Sequence, residues 1–235
     1  MKILAIDSSS NVASAALICN GVLTGEYTVN HKKTHSQTLL SLIRDMLCAT
    51  ETDIGEIDAF AVSVGPGSFT GLRIGIATVK GLAHACNKPV AGISTLEAMA
   101  YNLPYCCDYI IPILDARRDQ VYGAVYYWKD GVLLTHTAPC AESIDTIIDI
   151  VKKENKKAVF IGDGVLRFGE HISDILGDLA VFAFANSNMQ RASSVAVAAQ
   201  QIFAAGKGVS CGELVPVYLR KSQAEREYEE KHMER

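Results

Sequence analysis

The chain has 235 residues, enough for one large domain or two small ones, and its 49% hydrophobic content can bury a real core. A formal net charge of −4 argues against a standing basic surface for nucleic acid, while leaving room for a local patch. Met1-Lys2 runs straight into an acid at Asp7, no apolar run approaches the ~18 residues of a membrane span, and the seven cysteines show no C-x-x-C spacing, so a cytoplasmic protein with reduced thiols is expected.

Residues 2–6 form a short apolar run. Residues 12–18 and 22–29 read as strands joined through Asn20-Gly21, a strong hairpin signal. Residues 36–49 have helical period, and Thr34-x-x-Gln37 has the capping-box form. Residues 57–64 are a mostly apolar strand of the kind covered on both faces. A helix at 68–86, a strand at 89–93 and a helix at about 95–102 follow. The pattern then starts again. Strand 109–114 leads to Asp115, then 120–127 and 132–137 with a turn at Lys129-Asp130-Gly131, helix 142–153, strand 158–161, a helix near 165–176, strand 180–184 and helix 192–205. Each half goes strand, acid, hairpin, helix, strand, helix, which predicts a duplicated α/β unit. The expected divisions are a first lobe at 1–105, a second at 106–219 and a charged, solvated tail at 220–235.

The glycines at 65–75 raise the question of a phosphate loop. Thr70 stands where G-x-G-x-x-G needs its third glycine, and Leu72-Arg73 follow Gly71 where a P-loop needs Lys-Ser/Thr. Neither motif is met, and the favoured reading is a strand-to-helix turn that needs glycine for its backbone angles. In the helix that follows, Leu72, Ile76, Val79, Ala83 and Cys86 share one face, and Gly71, Gly75, Thr78, Gly81, Leu82 and Ala85 share another. Glycine inside a helix costs roughly 1 kcal/mol against alanine, and a close helix contact is the simplest offset. In the 36–49 helix, Leu39, Leu40, Leu42, Ile43, Met46 and Leu47 cover more arc than one core face needs. Surplus apolar surface on both helices predicts a subunit interface through Leu39, Leu40, Leu42, Ile43, Met46, Gly71, Gly75, Thr78, Gly81, Leu82 and Ala85, with burial inside the chain's own domain as the competing reading.

His31 and His35 have H-x-x-x-H spacing, but His31 precedes the helix start and no carboxylate sits between them, so no metal site is assigned. Asp7-Ser8-Ser9 after the first strand, Asp115 in the second half, and Gly162 and Gly164 after the 158–161 strand are candidate remnants of a nucleotide site. At Ala116-Arg117-Arg118 the turn is bulky and cationic, which suits ion pairs better than phosphate. No Ser/His/Asp or Cys/His set can be assembled from spacing, so no catalytic residue is assigned.

The segments ILAIDSSS, HSQTLL, SVGPGSFTGLRIGIA, STLEAMA, LDARRDQVYGAVY and PVYLRKSQAE resemble the bacterial TsaB (YeaZ) family over nearly the whole chain. The resemblance implies the actin-like ATPase (ASKHA, ribonuclease H-like) fold of two α/β lobes. It implies a part in making N6-threonylcarbamoyladenosine in tRNA, as the non-catalytic dimer partner of the paralogue TsaD, with the ATPase TsaE joining them and tRNA met through the complex. It implies no tightly bound cofactor, weak ATP or ADP binding at most, and leaves open homodimerisation without the partner. TsaD carries a metal-binding histidine pair where this chain reads Ile93-Ser94-Thr95-Leu96-Glu97. The alternatives are a stand-alone actin-like ATPase or kinase, or a metallopeptidase-like protein.

Overall fold

The computed structural model describes residues 1–31 and 34–220. The first sheet holds β1 (Lys2–Asp7), β2 (Val12–Cys19), β3 (Val22–Asn30), β4 (Ala59–Gly65) and β5 (Val90–Ser94) in the order β3-β2-β1-β4-β5. β1–β2 and β2–β3 pair antiparallel, and β1–β4 and β4–β5 pair parallel. The second holds β6 (Tyr109–Arg117), β7 (Gln120–Lys129), β8 (Val132–Ser143), β9 (Ala158–Ile161) and β10 (Ala180–Phe182) in the order β10-β9-β6-β7-β8. Read from the other edge, that order and its pairing directions repeat the first sheet. Both hairpins close on two-residue turns with positive φ at each residue, Asn20 and Gly21 in one, Asp130 and Gly131 in the other. This is the turn whose twist matches that of paired strands.

Six helices cover the sheets: α1 (His35–Ala49), α2 (Phe69–Cys86), α3 (Thr95–Ala100), α4 (Ile144–Glu154), α5 (Gly164–Leu176) and α6 (Ala192–Ala204). Alternation along β1 and β4 sorts the faces. Leu4, Ile6, Phe60 and Val62 meet Leu39, Ile43, Met46, Ile76 and Val79 of α1 and α2. Ile3, Ala5 and Ala61 meet Val195, Ala196 and Ala199 of α6 on the other side. In the second sheet Ile111, Ile113, Val121 and Val125 pack on α4 and α5, while Ile110, Leu114, Ala124 and Tyr126 pack on Leu96 and Met99 of α3. α3 therefore lies between the two cores, with Leu96 and Met99 on the second sheet and Ala98 packed with α6, and α6 packs on the first sheet.

Residues 207–220 also return to the first sheet. Val209 bridges Val90, Leu214 is buried in the first core, Val217 N–H donates to Val64 O at 2.8 Å, and Tyr218 stacks on Phe69 at 4.3 Å between centroids. The sheets divide near residues 103–108, but α6 and this strap, grouped with the second lobe by sequence, pack on the first. The expected capping box does not form, because the Thr34 hydroxyl turns to Ser36 instead of the helix amides. β8 runs to Ser143 instead of ending at 137, since it pairs with β7 along its whole length through bulges. No helix among the described residues is long and apolar enough to cross a membrane. Residues 221–235 of the expected tail lie outside the described residues.

Candidate functional site

At the carboxyl end of β1, Asp7 is fully buried and both its oxygens are engaged. Ser9 donates to Oδ1 from its amide (2.9 Å) and its hydroxyl (2.7 Å), and the Ser63 hydroxyl donates to Oδ2. Burial pushes the Asp7 carboxyl above the ordinary aspartate range, with the serine donors and His35 acting in the opposite sense. Ser8 Oγ donates to Gly71 O at 2.8 Å, and Ser68 N–H donates to Ser9 O at 2.7 Å. The serine turn is thus seated on the first turns of α2, and its carbonyl takes an amide that an anion would need.

Gly67 just before α2 and the first glycines within it explain how it fits. A Cβ on Gly67 would lie 2.2 Å from Ser9 O, one on Gly71 2.1 Å from Ser8 O, and one on Gly75 2.3 Å from Ser8 Oγ. Gly71 and Gly75 are buried and admit the chain's own turn, not a partner helix. This corrects the expectation that placed both on an interface. Leu39, Ile43 and Met46 are corrected likewise, since each is at most 3% exposed and belongs to the first core. A helical projection shows that a face is apolar or small but not which neighbour fills it.

What remains outward is a coherent stripe. Ile74, Thr78 and Leu82 are half-buried, and Gly81 and Ala85 are exposed, at positions that recur along one side of α2. The Thr78 hydroxyl donates to Ile74 O at 2.8 Å within its own helix, so it adds no polar demand to this side. Around a Cβ on Gly81 nothing lies within 4 Å. On α1, Leu40 is 58% exposed and Leu42 and Leu47 half-buried.

At the carboxyl end of β6, Asp115 and Asp119 hold Arg167 of α5, at 3.3 and 2.5 Å. Asp163 Oδ1 accepts the Asp115 amide at 3.0 Å, and Arg220 Nη1 donates to Ala116 O at 2.7 Å. Arg117, Arg118 and Asp119 all have positive φ, a costly run for residues with a Cβ, held here by the ion pairs and by Arg220. Gly162 and Gly164 fit against β6, where a Cβ would meet Ile113 O at 2.2 and 3.0 Å, and Asn188 Oδ1 accepts the Gly162 amide at 2.9 Å. Asp7, Ser8 and Ser9 therefore stand together, as do Asp115, Gly162 and Gly164, but each group is occupied by its own surroundings. His35 Nε2 donates to Ser10 O at 2.7 Å, and no cluster of three metal-ligating side chains occurs among the described residues. Arg167 and Asn188 carry no motif, and Arg220, although it lies in the PVYLRKSQAE segment, has no role assigned to it from sequence.

Residues 25–228 match the family model described as TsaD: tRNA N6-adenosine threonylcarbamoyltransferase. The tRNA threonylcarbamoyladenosine biosynthesis protein TsaB of Bacillus subtilis is 31% identical over 225 residues, 96% of each chain. The solved structure of YeaZ from Pseudomonas aeruginosa superposes with a TM-score of 0.78 at 26% identity, covering 93% of this chain and 99% of that one. Component A of (R)-2-hydroxyglutaryl-CoA dehydratase from Acidaminococcus fermentans, 12% identical, superposes at 0.51 over 87% of this chain and 99% of that one, a likeness of fold.

Proposed function

Because this chain belongs to the TsaB (YeaZ) family of tRNA threonylcarbamoyladenosine biosynthesis proteins and has the actin-like α/β fold, we propose that it is the non-catalytic pairing subunit of that pathway's transferase. In this reading it docks on TsaD through the outward side of α1 and α2 and supports threonylcarbamoyl transfer to tRNA adenosine, with TsaE joining the pair. The observation that carries the proposal is the stripe Ile74, Thr78, Gly81, Leu82 and Ala85, which offers apolar and small surface and leaves open space over Gly81. Small residues let a second helix approach closely, and dispersion over such a contact is the source of its strength.

The carboxyl end of β1 supports the non-catalytic part, since Asp7 accepts from Ser9 and Ser63 and the Ser68 amide is taken by Ser9 O, which leaves fewer groups for a nucleotide's phosphates. In this reading nucleotide binding is at most weak. A cytoplasmic site of action follows from the same pathway.

The test is size-exclusion chromatography of the purified chain with TsaD, alongside reconstituted tRNA modification. The double variant Gly81→Glu/Ala85→Glu should stay folded, because both positions are exposed, and should lose both pairing and modification. Gly75 is unsuitable for this purpose because it is buried against Ser8. A variant that still pairs at the wild-type elution volume refutes the interface. Full tRNA modification in the absence of this chain refutes the role.

A further inference from the structure

At the end of the second sheet remote from Asp115, where β6 begins and β7 and α4 end, a cavity of about 560 Å³ opens to solvent. Tyr105, Tyr109, Tyr127 and Trp128 line it together with Asp108, Lys129, Glu154 and Lys156. Tyr105 is 64% exposed, has a φ of +57°, and lays its ring 5.3 Å from Trp128. Trp128 meets Tyr101 edge-on behind, and its indole N–H is out of solvent without an acceptor. An unmet buried donor is unusual and marks a place where an incoming acceptor is favoured. On the opposite wall, Lys156 Nζ lies 4.6 Å from the Tyr109 ring centroid and donates to its hydroxyl at 2.9 Å.

Lys129, Lys152, Lys153, Lys156 and Lys157 outnumber Asp108, Asp130 and Glu154 in this region. Glu154 is shared by Tyr109, Lys156 and His136, the last at 2.9 Å, while Asp108 accepts only the backbone amide of Lys157 at 3.0 Å and keeps its charge, as does Asp130 beside Lys129. Lys129 has no ion-pair partner among the described residues. The run 152–157 adds Lys152, Lys153 and Lys157, all exposed. Favourable interaction with the helix dipole accounts for Lys152 and Lys153 in the last turn of α4, but not for Lys129 or Lys157. On a chain of net charge −4, this is a local concentration of cations beside stacking surfaces.

We propose that this groove binds an unpaired nucleotide of an RNA strand, with the base stacked on Tyr105 and Trp128 and the flanking phosphates on Lys129 and Lys157. Aromatic faces accept any base, and ammonium groups serve phosphate as point charges, so recognition here is by stacking and charge without a sequence code. The surface is separate from α1 and α2, so it engages RNA whether or not those helices hold a partner.

Trp128 is the chain's only tryptophan, so its fluorescence reports on the groove directly. The purified full-length chain is titrated with a short oligouridylate, with AMP and with inorganic triphosphate. The oligonucleotide should quench the emission saturably. Tyr105→Ala should weaken binding about tenfold and Tyr105→Phe should restore it, since one base–aromatic stack is worth about 1–3 kcal/mol. Lys129→Glu with Lys157→Glu should weaken binding and flatten its salt dependence. Absence of quenching, or unchanged binding by Tyr105→Ala, overturns the proposal. Equal quenching by AMP overturns the RNA strand in favour of a free mononucleotide, and full displacement by triphosphate reduces the site to charge alone. None of these outcomes depends on pairing with TsaD, so the two readings fail independently.

Discussion

Gly71→Ala and Gly81→Ala are the same chemical change in the same helix, and the structure predicts opposite signs for them. Each replacement gains about 1 kcal/mol of helix propensity. At Gly81 nothing opposes the gain, because no atom lies within 4 Å of the new methyl group. At Gly71 the methyl group would sit 2.1 Å from the Ser8 carbonyl oxygen, so the serine turn must retreat by about 1 Å to reach even a tight contact. That retreat loosens two hydrogen bonds, Ser8 Oγ to Gly71 O and Ser68 N–H to Ser9 O, each worth about 1 kcal/mol net. Overpacking adds about 1–3 kcal/mol. The balance is about 2–4 kcal/mol of destabilisation at Gly71 and about 1 kcal/mol of stabilisation at Gly81. Urea unfolding of both variants, followed by far-UV circular dichroism, measures the difference. Pairing adds a second readout, because Gly81→Ala should weaken TsaD association while raising monomer stability. If both variants shift the urea midpoint in the same direction, the assignment of Gly71 to the serine turn and Gly81 to an outward face is wrong.

Leu39→Ala and Leu40→Ala should separate in the same way: the first costs about 2–5 kcal/mol of stability from a core position, the second stays within about 0.5 kcal/mol and weakens pairing instead, as unfolding and chromatography would show. Glu26 joins β3 to the start of α6, accepting from Arg191 Nη2 at 2.5 Å and from the Ser193 amide at 3.0 Å. Burial alone would raise its carboxyl, but the hydrogen bonds from Arg191 and Ser193 outweigh it and hold the group below the ordinary glutamate range. Its stabilising contribution is therefore present above the unfolded value and lost as pH falls through the folded one, and Glu26→Gln should cost about 2 kcal/mol at neutral pH and remove that acid-side loss in thermal melts. Glu97 has the opposite sign, because burial raises it, so stability falls as pH rises from the unfolded value through the raised one. Glu97→Gln should abolish that decline, and an unchanged slope between pH 4 and 7 counts against it.

Much of the fold was legible because periodicity reports burial. The runs at 2–6, 12–18 and 57–64 became β1, β2 and β4, fully or almost fully buried because helices cover both faces of their sheet. The repeated order of strand, acid, hairpin and helix showed itself as two sheets of one topology. What the pattern could not hold was the placement of α6. The apolar face of α6 is as compatible with the second sheet as with the first, and only the long-range fit of Val195, Ala196 and Ala199 against Ile3, Ala5 and Ala61 decides it. The site was less legible for a related reason. Leu39 and Leu40 are the same residue type one position apart, and one is sealed in the core while the other faces out.

The glycines of α2 show how one helix can meet two demands that look alike in sequence. In its first half, Gly71 and Gly75 remove side chains so that a polar turn can lie flat on the backbone and place Ser9 against Asp7. In its second half, Gly81 removes a side chain where this chain supplies nothing to lie there. A glycine that costs about 1 kcal/mol in a helix and is offset by no internal contact implies an offset from outside, and the only part of α2 left with such an uncompensated position is the part that also exposes Ala77 and Ala85. The closed serine turn and the open stripe are thus consecutive segments of one helix, and closure of the first fixes the angle at which the second is presented.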